Sequence, residues 1–218
     1  QGSNTFSSFL LYVQTLDVAV TMVDVEVIEH EQGLVPGVFF SEYAEGTSNN
    51  KYIEIYNGTG AEVDLSAYSL SSCSNGCDTE NQFDYPDNVT FASGTALAHG
   101  DVYVVCHGSA SDGIAAECDQ TFTYLSNGDD FFALTEAGAT ADTYVIVDKI
   151  GDFGPDPGDG WDVAGVTNAT KDHTLVRKYE IMSGNQNWAM SSGTDDVSSE
   201  WMVEEKPSAD FTPPALGS

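Results

Sequence analysis

The sequence predicts an all-β protein, an antiparallel sandwich preceded by an extended N-terminal β-strand segment. Helix periodicity is almost absent along the 218 residues, while short apolar or alternating runs recur throughout. Turn dipeptides punctuate them: Asn57-Gly58, Asn75-Gly76, His99-Gly100, Asn127-Gly128 and Ala137-Gly138. Many short strands separated by Gly and Asn turns are the pattern of a sandwich.

Taken in order, the first strand of the body is Val38–Tyr43, opening on Val38, Phe39 and Phe40. A polar Gly/Ser/Asn-rich loop leads to Tyr52–Tyr56, where aromatic and β-branched residues alternate with Glu54 before the turn at Asn57-Gly58. That alternation predicts a half-buried strand. Further strands are expected at Ser66–Ser71, Asn88–Phe91, Asp101–Cys106, Phe122–Tyr124, Asp130–Thr135, Thr143–Gly151 and His173–Lys178. Residues Gly154–Gly160 (GPDPGDG) must be a loop, because two prolines lack the donors a central strand needs. Trp161 is expected to return the chain to the edge of the core.

Residues 1–34 stand apart from the body at 35–218. Leu16, Val18, Val20 and Met22 share one face of an extended chain; after Met22 the phase flips, and Val23, Val25 and Val27 carry the apolar side. Side chains alternate with a period of two, so a flip means a bulge or packing on two different bodies. Extended, Phe9–Ile28 reaches roughly 65 Å, far beyond an ordinary strand. The segment is expected either to fold back on its own domain or to complete a sheet in a neighbouring copy, a contact that propagates into a fibre. Asp17, Asp24 and Glu26 make it a poor membrane span, so no membrane insertion is expected.

Thirty-five acidic residues stand against six basic ones, a formal charge of −29. Phosphate backbones are bound through Lys and Arg, so nucleic acid is excluded as a partner. High negative charge suits a saline exterior and attracts divalent cations. The chain opens at Gln1 with no basic segment ahead of an apolar run, as a secreted chain does after losing its leader.

Four cysteines fall in two close pairs, and an even count in an extracellular chain predicts disulfides. Three connectivities exist; the spacings favour Cys73–Cys77 and Cys106–Cys118. Zinc, with His107 beside Cys106, is the rival, but neither spacing matches a zinc motif.

Several pieces, in their order and spacing, resemble the lamin tail domain family: VFFSEYAEGTSNNKYIEIYN at residues 38–57, VDLSAYSL, LAHGDVYVV, SNGDDFFAL, VIVDKIGDFG, KDHTLVRK, and a tail with Trp201 and Leu216-Gly217. The likeness spans about residues 35–218. It implies an immunoglobulin-like antiparallel β-sandwich that scaffolds or binds and has no catalytic residues. The four cysteines and acidic additions resemble the secreted microbial members rather than the nuclear ones.

Candidate chemistry outside the family is sparse. Asp152, Asp156, Asp159 and Asp162 could offer hard oxygens to Ca²⁺, although their spacing is not that of an EF-hand and Asp suits turns without any ion. Asn57, Asn88 and Asn168 each head an Asn-x-Thr glycosylation sequon. No Gly-x-Ser-x-Gly elbow is present, and the four histidines are dispersed, so an enzyme is not expected. Trp161, Trp188 and Trp201 read as core residues rather than as a sugar-stacking platform. The expected function is a non-enzymatic extracellular structural or adhesive module, its partner itself as a homo-oligomer or fibre, or a cell-surface or matrix polysaccharide. No cofactor is required. The alternative is a calcium- or polysaccharide-binding accessory domain of a larger secreted enzyme such as a nuclease.

Overall fold

The computed structural model describes residues 36–206. Two sheets face each other. The larger has six strands in the order β12-β11-β1-β2-β7-β8, and the smaller four in the order β10-β9-β4-β5. A two-stranded ribbon pairs β3 (Val63–Asp64) with β6 (Ala96–Leu97). In the large sheet, β1 (Val38–Glu45) pairs with β2 (Lys51–Asn57) and β11 (His173–Arg177), β2 pairs with β7 (Val102–Cys106), and β12 (Trp201–Glu205) pairs with β11, all antiparallel. Only β8 (Gln120–Thr121) joins in parallel, against β7. The small sheet is built from β4 (Tyr68–Cys73), β5 (Tyr85–Thr90), β9 (Phe131–Glu136) and β10 (Ile146–Ile150).

Alternation places the core. Phe40, Tyr43, Ile53, Ile55, Val105, Leu175 and Trp201 of the large sheet meet Leu70, Val89, Phe132, Leu134 and Ile150 of the small one. Trp188 joins them from α2 (Trp188–Ser192), a short helix capped by the Asn187 side chain, which accepts from Met190 N. Trp161 is half-buried against the core, as the sequence predicts.

A charged tie runs through the seam between the sheets. Asp148 of β10 accepts from Phe40 N (2.8 Å) and Arg177 Nη2 through Oδ2, and from Lys149 N and Asn185 N (both 2.9 Å) through Oδ1. Arg177 donates onward from Nε to the Phe40 carbonyl (3.1 Å) and from Nη1 to Ser191 Oγ (3.0 Å) and Glu200, while its guanidinium lies 3.9 Å from the Trp201 ring centroid. Every face of the buried cation therefore has a partner, which is what burying a charge requires. The pairing of β1 with β11 runs only from Glu42 to Ala44, so Phe40 lies past its end, next to a bulge in the β1–β2 pairing between Phe40 and Glu42.

Some expectations change. β2 is buried on both faces rather than half-buried, since Ile114 of α1 (Asp112–Ala116) packs over Ala44, Tyr52, Val104 and Cys106 on the outer side. The strand expected at Phe122–Tyr124 is two residues earlier, at Gln120–Thr121; Phe122 turns into the core and Tyr124 is in a loop. β5 begins at Tyr85 despite Pro86, which an edge strand tolerates.

The GPDPGDG segment is a loop held from two sides. Gly76, at φ +81°, lies so close to it that an added Cβ would meet Asp156 N at 2.3 Å, and Cys77 N donates to the Gly154 carbonyl (2.8 Å). On the other flank Thr170 Oγ1 donates to the Gly128 carbonyl (2.6 Å) and accepts from Trp161 N (2.8 Å).

Candidate functional site

The self-association residues Leu16, Val18, Val20, Met22, Val23, Val25 and Val27 lie outside the described residues. What the structure does describe is the set of sheet edges that a strand could join. An edge strand presents unpaired backbone groups, and proteins blunt such edges with proline, bulges, short length or a covering segment. β5 contains Pro86 and has Asp87 at φ 48°, and its pairing with β4 shifts register between Leu70 and Ser72. β8 is two residues long. β10 is bulged between Ile146 and Asp148, and Gly184 packs against the Val147 carbonyl, where an added Cβ would sit at 2.4 Å.

β12 differs from all three. Its five residues pair with β11 in unbroken register, from Arg177 opposite Trp201 to His173 opposite Glu205. Trp201 faces the core and Val203 is half-buried, while Met202 is 40% exposed. No further strand pairs with it among the described residues. Beside it lies an open depression of about 510 Å³ walled by Val166, His173, Val203 and Glu205. One ion pair guards this corner, Lys206 Nζ to Asp172 Oδ1 at 2.7 Å, and the Lys206 partner holds the Asp172 carboxyl below its ordinary pKa. The sequence reading missed β12, since Trp-Met-Val followed by two glutamates shows no clean alternation.

Both disulfides form as the spacings favour. Cys73–Cys77 clips the end of β4, and Cys106–Cys118 closes the loop that carries α1. Beneath that loop is a feature the sequence did not single out. Glu42 of β1 and Glu54 of β2 are cross-strand partners, and both are buried. Tyr52 Oη donates to Glu42 Oε2 and Ser41 Oγ donates to Glu54 Oε1, each at 2.7 Å. Burial, reinforced by the neighbouring Glu54 charge, pushes the Glu42 carboxyl up to about 8; burial raises Glu54 as well. Glu42 is therefore protonated at neutral pH, which lets two acids share a buried site.

The acidic loop does not gather its carboxylates. Asp152 accepts from Lys149 Nζ (2.7 Å), Asp156 from Gly158 N (2.6 Å) and Asp162 from Asn168 N (2.9 Å), while Asp159 pairs with Lys171. Among the described residues no group of three or more His, Cys, Asp or Glu side chains is arranged to hold a metal ion.

The three sequons meet different fates. Asn57 is fully buried: Nδ2 donates to the Ala61 and Leu97 carbonyls (both 2.8 Å), and Oδ1 accepts from Thr59 N and Oγ1. A glycan on that nitrogen would leave it one hydrogen and cost at least one of the donated bonds; in this structure the residue is an internal clamp. Asn88 is half-buried and donates to Ser72 Oγ (2.8 Å). Asn168, half-buried at φ 55°, sits in a turn whose Thr170 is fully buried.

No helix among the described residues is long and apolar enough to cross a membrane. A search of curated proteins and of solved structures returns no match. The family model described as Lamin Tail Domain matches residues 34–148, more than half of the chain, and covers every strand from β1 through β9. β11 and β12, beyond the matched span, continue the same sheet as β1. The match spans more than half of the chain, and the chain belongs to the lamin tail domain family.

Proposed function

We propose that this protein is a non-enzymatic extracellular structural module that assembles with copies of itself, residues 9–28 of one molecule adding a strand to β12 of the next. The observation that carries this reading is the regular edge of β12, which no strand pairs with among the described residues, where the other sheet edges described are each broken, short or obstructed. Strand addition supplies main-chain hydrogen bonds for affinity, and the hollow beside Val203 offers room for alternate side chains. Donor and acceptor lie at different places on one chain, so the contact is heterologous, and it runs on into a filament wherever its rotation does not close a ring. The two disulfides fit an oxidising exterior. No calcium is needed for this contact.

Charge sets the conditions. A formal −29 per copy, with Glu204 and Glu205 facing a donor that carries Asp24 and Glu26, opposes docking at low salt. At about 0.1 M salt the Debye length falls to ~10 Å and the repulsion is screened.

Sedimentation velocity on the intact chain and on a chain lacking residues 1–34, across a salt series, tests the reading. The intact protein should form concentration-dependent multimers that grow with salt, and the shortened one should stay monomeric. An intact chain that is monomeric throughout, or a shortened chain that still multimerises, overturns it.

A further inference from the structure

A second surface, remote in sequence from β12, has the make-up of a ligand site. The small sheet ends in a cleft of about 350 Å³. One row of the sheet forms its floor: Phe132 of β9 and Tyr85 of β5 both stand opposite Ser72 of β4. Phe132 is the inner end, a buried core residue, and Tyr85 is the outer, 52% exposed. Tyr124, on the loop after β8, forms the facing wall, 77% exposed and steadied edge-on by Phe122 at 5.9 Å between centroids. The Cys73–Cys77 clip fixes the rim, since Cys73 lines the cleft.

Polar groups converge between the rings. Asp130 is only 8% exposed; Oδ1 accepts from Asn75 N (2.8 Å) and Ser74 Oγ (3.1 Å), while Oδ2 has no partner among the described residues. That oxygen is not sealed from solvent, so a ligand hydroxyl entering the cleft can reach it. Asn88, whose amide nitrogen is taken by Ser72, keeps its Oδ1 without a donor as well. The cleft thus asks for hydrogen-bond donors and offers aromatic faces, and no cation lines it.

We propose that this cleft binds a neutral saccharide, packing sugar C–H faces on Tyr124 and Tyr85 while ring hydroxyls donate to Asp130 Oδ2 and Asn88 Oδ1. The volume is at the small end of ligand pockets, the size of one stretch of a chain rather than of a protein surface. Phosphate-bearing and acidic polymers are disfavoured by the unopposed Asp130 charge and the −29 of the chain. Neutral hydroxyls meet no such penalty. The proposal goes beyond strand assembly and does not depend on it.

Affinity electrophoresis of the intact protein through gels containing laminarin, dextran, yeast mannan or hydroxyethylcellulose, with alginate as the anionic control, tests the site. At least one neutral polymer should retard the protein and alginate should not. Tyr124→Ala should weaken that retardation about tenfold without moving the melting temperature, because the ring is solvent-facing in the free protein. Asp130→Asn should weaken it too. No retardation by any neutral gel, stronger retardation by alginate, or retardation unchanged in Tyr124→Ala each overturns the proposal.

Discussion

Removing Asp148 isolates the buried ion pair that ties the two sheets together. In Asp148→Ala the Arg177 guanidinium, whose side chain is 1% exposed, loses a fully buried carboxylate. Phe40 N and Asn185 N lose their acceptor at the same stroke. Breaking a buried pair by deleting one partner costs about 3–5 kcal/mol, because the surviving charge is left uncompensated. Glu200 and the Trp201 face still engage Arg177, which places the loss toward the lower end. In a domain of this size each kcal/mol moves Tm by about 2–4 °C, so a loss of about 3 kcal/mol should lower it by roughly 6–12 °C. Asp159→Ala, which breaks the exposed pair with Lys171, is the control and should cost below about 1 kcal/mol. The double variant Asp148→Leu, Arg177→Met should recover much of the loss, since no buried charge then lacks a partner. Thermal and urea denaturation of the four proteins decides the matter. A single Asp148→Ala variant within 1 kcal/mol of the parent would refute the claim that this pair closes the seam between the sheets.

Two other expectations concern the buried Glu42 carboxyl and the two disulfides. Glu42 binds a proton more tightly folded, at about 8, than unfolded, near its ordinary 4.5, so the folded state holds the extra proton between those values. Its contribution to stability is therefore full below about pH 4.5, falls as pH rises toward 8, and levels off above. Glu42→Gln, which mimics the protonated acid, should flatten the Tm–pH profile across that window and be the more stable protein at pH 8; parallel profiles would exclude the assignment. The disulfides should rank by the loops they close: opening Cys106–Cys118, twelve residues apart, should cost about 3 kcal/mol, and Cys73–Cys77, four apart, about 2 kcal/mol. Denaturation of the paired Cys→Ala variants measures both, and a reversed order would contradict the loop-closure account.

Strands that alternate and sit between turn dipeptides were readable from the sequence, because Tyr52, Ile53 and Ile55 or Leu70 and Leu134 carry their burial in their own spacing. Partners brought in from a distance were not. β2 looked half-buried since nothing near residue 52 announces that Ile114 will cover it; that cover depends on Cys118 drawing the loop back to Cys106. The two-residue strands β3, β6 and β8 are too short to show a period. Close Cys spacings made the disulfides legible, whereas the Asp148–Arg177 tie joins residues 29 apart that no local pattern links. The cleft was illegible for a related reason. Tyr124 looks like an ordinary strand aromatic and Tyr85 precedes the strand expected at Asn88–Phe91, until the chain's path leaves both rings outside the core.

The two-sided grip on residues 154–160 divides the surface into parts that can grow and parts that cannot. Gly60, Gly94, Gly100 and Gly138 turn into open space, with nothing within 4 Å of a would-be Cβ. Relatives, or engineers grafting an epitope, can lengthen the chain at such corners while the sandwich stays shut. The proline-rich loop is mixed: Gly154 and Gly158 also face open space, whereas Gly76 presses on Asp156 and Thr170 on Gly160, so the loop is pinned at those two points and free between them. Variation in this lineage should therefore accumulate at the bare tips and spare Gly76 and Gly160, where the backbone has no room for a side chain.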